Sequence, residues 1–226
     1  MTGLIRKIEP ERATISIGAE IGEVGNRNST VSDLRAFMSG YLKHLEPNTE
    51  GISKISIQTG TSHGGVVLPD GSVASVAVDF KALEEISKIA REEYGLAGAV
   101  QHGASTLPDD AFDMFPKAGT AEVHLATGFQ NLIYDSPYFP GELLSKIQRH
   151  LLEKYANERK AGDTEDQFLY KTRKKAFGDF KKEIWDIPEE NLGQIRDMLE
   201  ERFALLFRKL NVTDTVELVN RYVAQQ

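Results

Sequence analysis

Near the start of the chain Ile15, Ile17, Ala19 and Ile21 alternate with Thr14, Ser16, Gly18 and Glu20. A period of two puts each set on its own face of a strand, so the pattern predicts a strand over Ala13–Ile21. After a loop over Gly22–Thr30 the spacing changes to three and four. Leu34, Phe37, Met38, Tyr41, Leu42 and Leu45 would share one face of a helix that Ser32 caps and that runs to about Leu45. The alternation recurs. Ser53–Thr59 predicts a second strand. Phe80–Tyr94 predicts a helix capped by Asp79 and ended by Gly95, with Leu83, Ile86, Ile89 and Ala90 inward. Gly98–Gln101 predicts a third strand, and Pro108 and Asp109 open a short helix to about Lys117. Ala121–Ala126 predicts a fourth strand, followed by a helix near Phe129–Tyr134.

Strand–loop–helix units at this spacing imply an α/β fold with parallel strands and crossover helices. In such folds ligands gather at the carboxyl ends of the strands. Three of the four predicted strands end in turns rich in Gly, Ser or Thr, which makes those turns the expected site.

The pattern changes after about Pro140. Glu142–Tyr155 predicts a helix with Leu143, Leu144, Ile147, Leu151 and Leu152 on one face. Gln167–Trp185 is basic and aromatic. Pro188 starts a helix to about Leu210 that carries Leu192, Ile195, Leu199, Phe203 and Leu206, and Thr213 or Asp214 caps a last one. The expected division is a strand-bearing part over 1–140 and a helical extension over 141–226. Lys171–Lys182 invites a nucleic-acid reading. Tyr170, Ala176, Phe177, Phe180 and Trp185 give it an apolar side, so it reads as a solvated helix face.

Composition removes several classes. The 226 residues include no cysteine, which excludes thiolate catalysis, cysteine-held zinc, iron–sulfur clusters and disulfides. The formal net charge of −7 offers no electrostatic footprint for nucleic acid. No apolar run approaches the ~20 residues of a membrane span, and the first residues lack the apolar stretch of a signal peptide. The expectation is a cytoplasmic protein with neither nucleic acid nor membrane as partner.

Without cysteine, any metal sits on imidazole, carboxylate, carbonyl or water. Glu20, His63, His102 and His124 all fall at predicted strand ends. Two imidazoles and a carboxylate suit a divalent zinc-like ion, although each histidine alone reads more readily as a structural or surface group than as a ligand, and Glu20 alone reads as the polar face of its strand. His44 and His150 fall within helix patterns and read as surface residues. His63-Gly64 and His102-Gly103 each follow a strand and precede a helix-like segment. Glycine lets backbone N–H groups approach an anion, so Gly64, and Gly103 with Ser105, fit a phosphate. Two such turns in successive units predict a site that combines metal and phosphate.

Four ordered segments carry a family resemblance. ISIGAEIGEVG resembles the strand-five motif of class II, metal-dependent ketose-bisphosphate aldolases of the fructose-bisphosphate type, with Glu20 at the carboxylate that serves the mobile metal. IQTGTSHGGV resembles the strand-six segment, with His63 as metal ligand. AVQHGAST resembles the His-Gly-Gly-Ser-Gly segment of strand seven, which implies His102 as a ligand and Gly103 and Ser105 at the phosphate. VHLATGFQ resembles the Asn-Ile-Asp-Thr-Asp segment of strand eight, which implies Thr127 at the phosphate and His124 at a substrate-contacting position. The tail, with FGDFKKEIWDIPEEN, resembles the C-terminal region of extended members.

The resemblance implies strands five to eight of a (β/α)8 barrel, followed by a helical extension. A full barrel takes ~250 residues. The family's catalytic aspartate and first metal histidine belong to an Asp-x-x-His segment that has no counterpart here. At strand eight Ala126 stands at the family's Asp, and Gly18 stands at the carboxylate two residues before Glu20. The implied cofactor is a divalent metal of the zinc type. The implied ligands are a phosphorylated ketose and dihydroxyacetone phosphate, in glycolytic carbohydrate metabolism. The implied partners are further copies of the chain or a complementing N-terminal half. The alternative is a non-catalytic, self-associating half-barrel or a subunit of a split enzyme.

Overall fold

The computed structural model describes residues 1–11, 14–22, 27–61, 65, 67–70, 72–74 and 77–223. Four strands, β1 (Gly18–Glu20), β2 (Lys54–Ile57), β3 (Ala99–Gln101) and β4 (Glu122–Val123), form one parallel sheet in chain order. Helices α2 (Val31–His44) and α3 (Phe80–Tyr94) make the first two crossovers. A 3-10 turn over Asp109–Asp113 and α4 (Met114–Lys117) make the third, and α5 (Thr127–Tyr134) follows β4. The α/β class and the parallel pairing therefore agree with the period of the sequence.

The regular strands are shorter than the alternation predicts. Single backbone bonds extend the ladder past their ends, from Ser53 N–H to the Ile17 carbonyl (2.8 Å) and from His124 N–H to the Gln101 carbonyl (2.8 Å). The first strand was expected from Ala13, which lies outside the described residues. Helix α1 (Thr2–Ile8) precedes the sheet and was not foreseen. The Arg6 guanidinium fastens it to the Ile15, Glu50 and Gly51 carbonyls.

Helix α2 begins two residues earlier than expected. Its cap is Thr30, not Ser32. The Thr30 hydroxyl accepts from Asp33 N–H while the Asp33 carboxylate accepts from Thr30 N–H, a reciprocal box that satisfies two otherwise orphaned donors. Helix α3 matches the expectation at both ends, with Asp79 accepting from Ala82 N–H and Gly95 at φ +66 closing it.

One face of the sheet packs on these helices. Ile55, Ile57 and Ala99 meet Leu34 and Met38 of α2, Leu83, Ile86 and Ala90 of α3, and Phe112 and Phe115. Leu42 was expected to join them, but it turns outward and is 51% exposed.

The remaining helices are α6 (Gly141–Lys154), α7 (Glu165–Thr172), α8 (Ala176–Asp179), α9 (Lys181–Trp185), α10 (Glu189–Lys209) and α11 (Val216–Tyr222). A second core joins Tyr134, Phe139, Ile147, Leu151, Ala176, Phe180, Ile187 and Ile195. The basic aromatic stretch is not one helix. A 3-10 turn over Arg173–Lys175 separates α7 from α8, and Trp185 is 72% exposed rather than packed. Thr215, rather than Thr213 or Asp214, sits at the start of α11. Helix α10 crosses between the two cores. Ile195, Leu192 and Leu199 belong to the second, while Leu206 and Leu210 belong to the first. Phe203, expected inward, instead stacks on Phe129 at 4.5 Å with one side in solvent. Among the described residues no helix is long and apolar enough to cross a membrane.

Leu83 is fully buried between helix and sheet, whereas Leu42 faces solvent. Leu83→Ala should therefore cost about 3–5 kcal/mol of unfolding free energy, through lost transfer energy and a residual cavity. Leu42→Ala should change it by less than about 0.5 kcal/mol. Urea titration of the two variants measures the contrast.

Candidate functional site

The carboxyl ends of β2 and β3 are tied together by buried polar groups. Gln101 and Thr59 are fully buried. The Thr59 hydroxyl donates to Gln101 Oε1 (2.7 Å), and Gln101 Nε2 donates to Thr61 Oγ1 (3.0 Å) and to the His102 carbonyl (2.5 Å). Thr61 Oγ1–H donates to the same carbonyl (2.8 Å). On the neighbouring loop Gln58 Oε1 accepts from the Thr59 and Gly60 amides, and Ser29 Oγ accepts from Gln58 N–H. Side chains buried this way must be satisfied or cost about 1–3 kcal/mol each. The network therefore holds the loop that presents His102 in one position.

The face of the sheet away from the first core is polar. Parallel register places Glu20, Ser56, Val100 and Glu122 in one row across all four strands. Lys54, two residues before Ser56, shares that face. Its stem runs beside Gly18, where an added Cβ would stand 3.2 Å from Lys54 Cε, and its ammonium forms an ion pair with Glu122. So the Lys54 stem fills the space that a side chain at position 18 would need. In a flat sheet β1 and β4 would lie roughly 14 Å apart at ordinary strand spacing. One lysine side chain meets both, which a curved sheet allows.

Glu122 receives a second hydrogen bond, from His124 Nε2–H (2.8 Å). The His124 ring in turn packs edge-to-face on His102, with centroids 4.4 Å apart. Because Nε2–H donates to the Glu122 carboxylate, Nδ1 of a neutral His124 carries the lone pair. Burial acts to raise the Glu122 carboxyl, and the hydrogen bonds from His124 and Lys54 more than reverse it, so this carboxyl titrates below its ordinary value. The hydroxyl of Ser56, buried in the middle of the same row, has no hydrogen-bond partner among the described residues.

The next turn is shaped for a close approach. Gly103 adopts φ +69, a left-handed conformation that glycine takes without strain. Ser105 Oγ accepts from Ala126 N–H (2.7 Å) just before α5. A Cβ at Gly128 would stand 2.5 Å from the Ser105 carbonyl, so glycine is required where α5 meets this turn. Thr127 opens α5, and its N-cap residue, Ala126, has no side-chain acceptor to offer that helix start.

Of the expected site residues, the structure brings His102 and His124 into contact and sets Ser105 beside the start of α5 at Thr127. Glu20 lies at the exposed end of β1, on the same face of the sheet as Glu122. His63 and Gly64 lie outside the described residues. The donor chemistry of His63, His102 and Glu20 suits a zinc-like ion, but no three His, Asp or Glu side chains among the described residues stand close enough together to hold a metal. Sequence reasoning missed Lys54, Ser56 and Glu122, and the signal was available. They fall on the alternation positions opposite the apolar face of their strands.

Fold and site together define an α/β protein whose polar groups converge at the carboxyl ends of parallel strands. Residues 10–186 match the family model of class-II fructose-bisphosphate aldolase, and the chain belongs to that family. No curated protein matches it. Among solved structures, it is similar to one from Coccidioides immitis provisionally described as a fructose-1,6-biphosphate aldolase. The sequence identity is 17% and the TM-score 0.45, over 90% of this chain and 55% of that one. This chain therefore spans about half the length of that structure.

A carboxyl whose pKa is lowered on folding adds stability above its unfolded value, and that stability is lost as pH falls through the folded one. Glu122→Gln should accordingly destabilise the protein at pH 7 more than at pH 4, because the wild-type advantage shrinks on acidification. Urea midpoints of both proteins at the two pH values test this. An equal difference at both would contradict the ion-pair account.

Proposed function

We propose that this chain provides the metal- and phosphate-binding part of a class II ketose-bisphosphate aldolase site, on strands equivalent to the last four of a (β/α)8 barrel, with residues 141–226 as a helical extension. The observation that carries the reading is the family match through residues 10–186, together with the His102, Ser105 and Thr127 turns at adjacent strand ends. The reach of Lys54 on β2, its stem beside Gly18 of β1, to Glu122 on β4 supports a concave, barrel-like face.

In this reading His63, His102 and Glu20 hold a divalent metal of the zinc type. When bound, such a metal acts as a Lewis acid on the carbonyl oxygen of the ketose. Gly64 and Gly103 offer backbone N–H groups to the phosphate. The Ser105 hydroxyl and the Thr127 end of α5 complete the phosphate cradle, where helix polarity favours an anion. His124, steered by Glu122, meets a hydroxyl of the substrate. The substrate class is a phosphorylated ketose, with dihydroxyacetone phosphate as one product, in carbohydrate metabolism.

The chain contains no Asp-x-x-His segment to supply the acid/base carboxylate and the remaining imidazole. Carbon–carbon cleavage would then require those groups from another polypeptide segment, and this chain alone binds without cleaving. In an equilibrium titration with zinc or cobalt, His63→Ala and His102→Ala should each weaken binding at least about tenfold. Ser105→Ala should weaken dihydroxyacetone phosphate by about fivefold, the value of one net hydrogen bond. Unchanged metal affinity in both histidine variants would contradict the reading.

A second reading, self-association, is favoured by a specific observation. Phe207, Val216, Leu218 and Tyr222 on α10 and α11 are all exposed, and among the described residues no strand pairs with the outer edge of β1 or of β4. Size-exclusion with light scattering should then give a multiple of 25.1 kDa. A monomer at tens of micromolar would contradict it.

A further inference from the structure

The capping box at the start of α7 has donors to spare. Thr164 Oγ1 accepts from Gln167 N–H (3.2 Å) and Gln167 Oε1 accepts from Thr164 N–H (3.0 Å), which closes the box within the helix. The same hydroxyl donates to the Pro69 carbonyl (2.7 Å), and Gln167 Nε2 donates to the Val67 carbonyl (2.9 Å). Those carbonyls lie 95 and 100 residues earlier in the chain. A glutamate closes such a box as well as a glutamine does. Only the amide has a donor left for Val67, and a hydroxyl cap, unlike aspartate, has one for Pro69. The box of α2 shows the contrast, because it closes with Asp33, whose carboxylate turns to Arg27.

Both acceptors belong to the loop after β2. Val67 bridges Val73 in antiparallel fashion, and Leu68 N–H donates to the Ser72 carbonyl (2.8 Å), so Val67 and Leu68 lie beside Ser72 and Val73. Val73 in turn abuts Gly65. That glycine adopts φ +73, and a Cβ there would stand 2.3 Å from Val73 Cγ1 and 3.0 Å from Thr106 Oγ1. Position 65 is therefore closed in between this loop and the β3 turn that carries Ser105. The far end of α7 grips the other flank of that turn. The Arg173 guanidinium donates to both Asp135 oxygens (2.6 and 3.1 Å), and Asn131 Nδ2 donates to the Tyr170 hydroxyl oxygen (2.8 Å). Asn131 and Asp135 belong to α5 and its end, and Gly128 of α5 meets the Ser105 carbonyl. One helix of the extension thus holds both segments that flank Ser105.

We propose that Thr164 and Gln167 are positioning residues for the strand-end site. Through Pro69 and Val67 they hold the loop after β2 against the β3 turn, and so fix the Ser105 side of the phosphate cradle. The helical extension thereby supports the site from outside the strands. A loop released from α7 would have to be ordered again whenever ligand binds, and that ordering is subtracted from affinity. The inference rests on the aldolase reading for the identity of the ligand, and on the hydrogen bonds alone for the clamp.

Gln167→Glu and Thr164→Asp test this in the full chain. Each keeps the helix cap, since a carboxylate accepts at either position, and each removes one donor to the loop. Amide order parameters from NMR relaxation report the loop. Calorimetric titration with dihydroxyacetone phosphate, in the presence of zinc, reports the site. In each variant the order parameters of Val67, Leu68 and Val73 should fall from about 0.85 to below about 0.6. Affinity for dihydroxyacetone phosphate should fall at least about fivefold, with helical circular dichroism unchanged. Gln148→Glu adds the same charge at an exposed position of α6, away from these hydrogen bonds, and should match the wild type. Unchanged order parameters, an unchanged affinity with a loosened loop, or an equal loss in Gln148→Glu would overturn the proposal. If the wild type takes up no dihydroxyacetone phosphate, the aldolase reading fails, and the order parameters alone decide the clamp.

Discussion

The side-chain amide of Gln101 is the constraint on which the strand ends depend. It sits fully buried where a parallel sheet ends and two loops begin, so its donors and acceptor have to be met inside the protein. Thr59, Thr61 and the His102 carbonyl meet them. A hydrophobic residue of the same size would pack there, but it would leave two buried threonine hydroxyls and a carbonyl without that partner. The network exchanges a little core hydrophobicity for a loop that has one conformation. His102 inherits that conformation, and through the edge-to-face contact of the two rings so does His124.

The second organising feature is electrostatic. Lys54, Glu122 and His124 form a chain on the solvent-side face of the sheet. Partly exposed ion pairs contribute little net stability, so the chain is better understood as a positioning device. It holds the His124 ring against His102, with Glu122 accepting from Nε2–H. It also uses the space beside Gly18. The resemblance implies a carboxylate at position 18, where Gly18 instead leaves room for the Lys54 stem. The family match and this local difference are compatible, because each concerns a different layer of the same face.

Much of the fold was legible in the sequence. The alternation of Ile15, Ile17, Ala19 and Ile21, and the three-four spacing of Leu83, Ile86 and Ala90, identified a strand and a helix because each element buries one face. Strand lengths were overread, since alternation continues where the ladder has already thinned to single bonds. The cap of α2 is Thr30 rather than Ser32 because Asp33, three residues on, answers it reciprocally. The stretch 167–185 carried a continuous amphipathic pattern, yet it breaks at Arg173–Lys175, where the guanidinium of Arg173 turns to Asp135 and Asn131. The positions of His102, Ser105 and Thr127 could be read from their turns. Alternation marks the face that Lys54 and Glu122 share, but not their pairing, which crosses from β2 to β4 and which no local spacing encodes.

The central claim is that the carboxyl ends of these strands form a joint metal and phosphate site. The most direct measurement is a crystal structure of the full chain grown with zinc and dihydroxyacetone phosphate. The account predicts zinc on His63 and His102 and the phosphate against Gly103, Ser105 and the start of α5 at Thr127. Zinc on other residues, with the phosphate absent from the Ser105 turn, would contradict it.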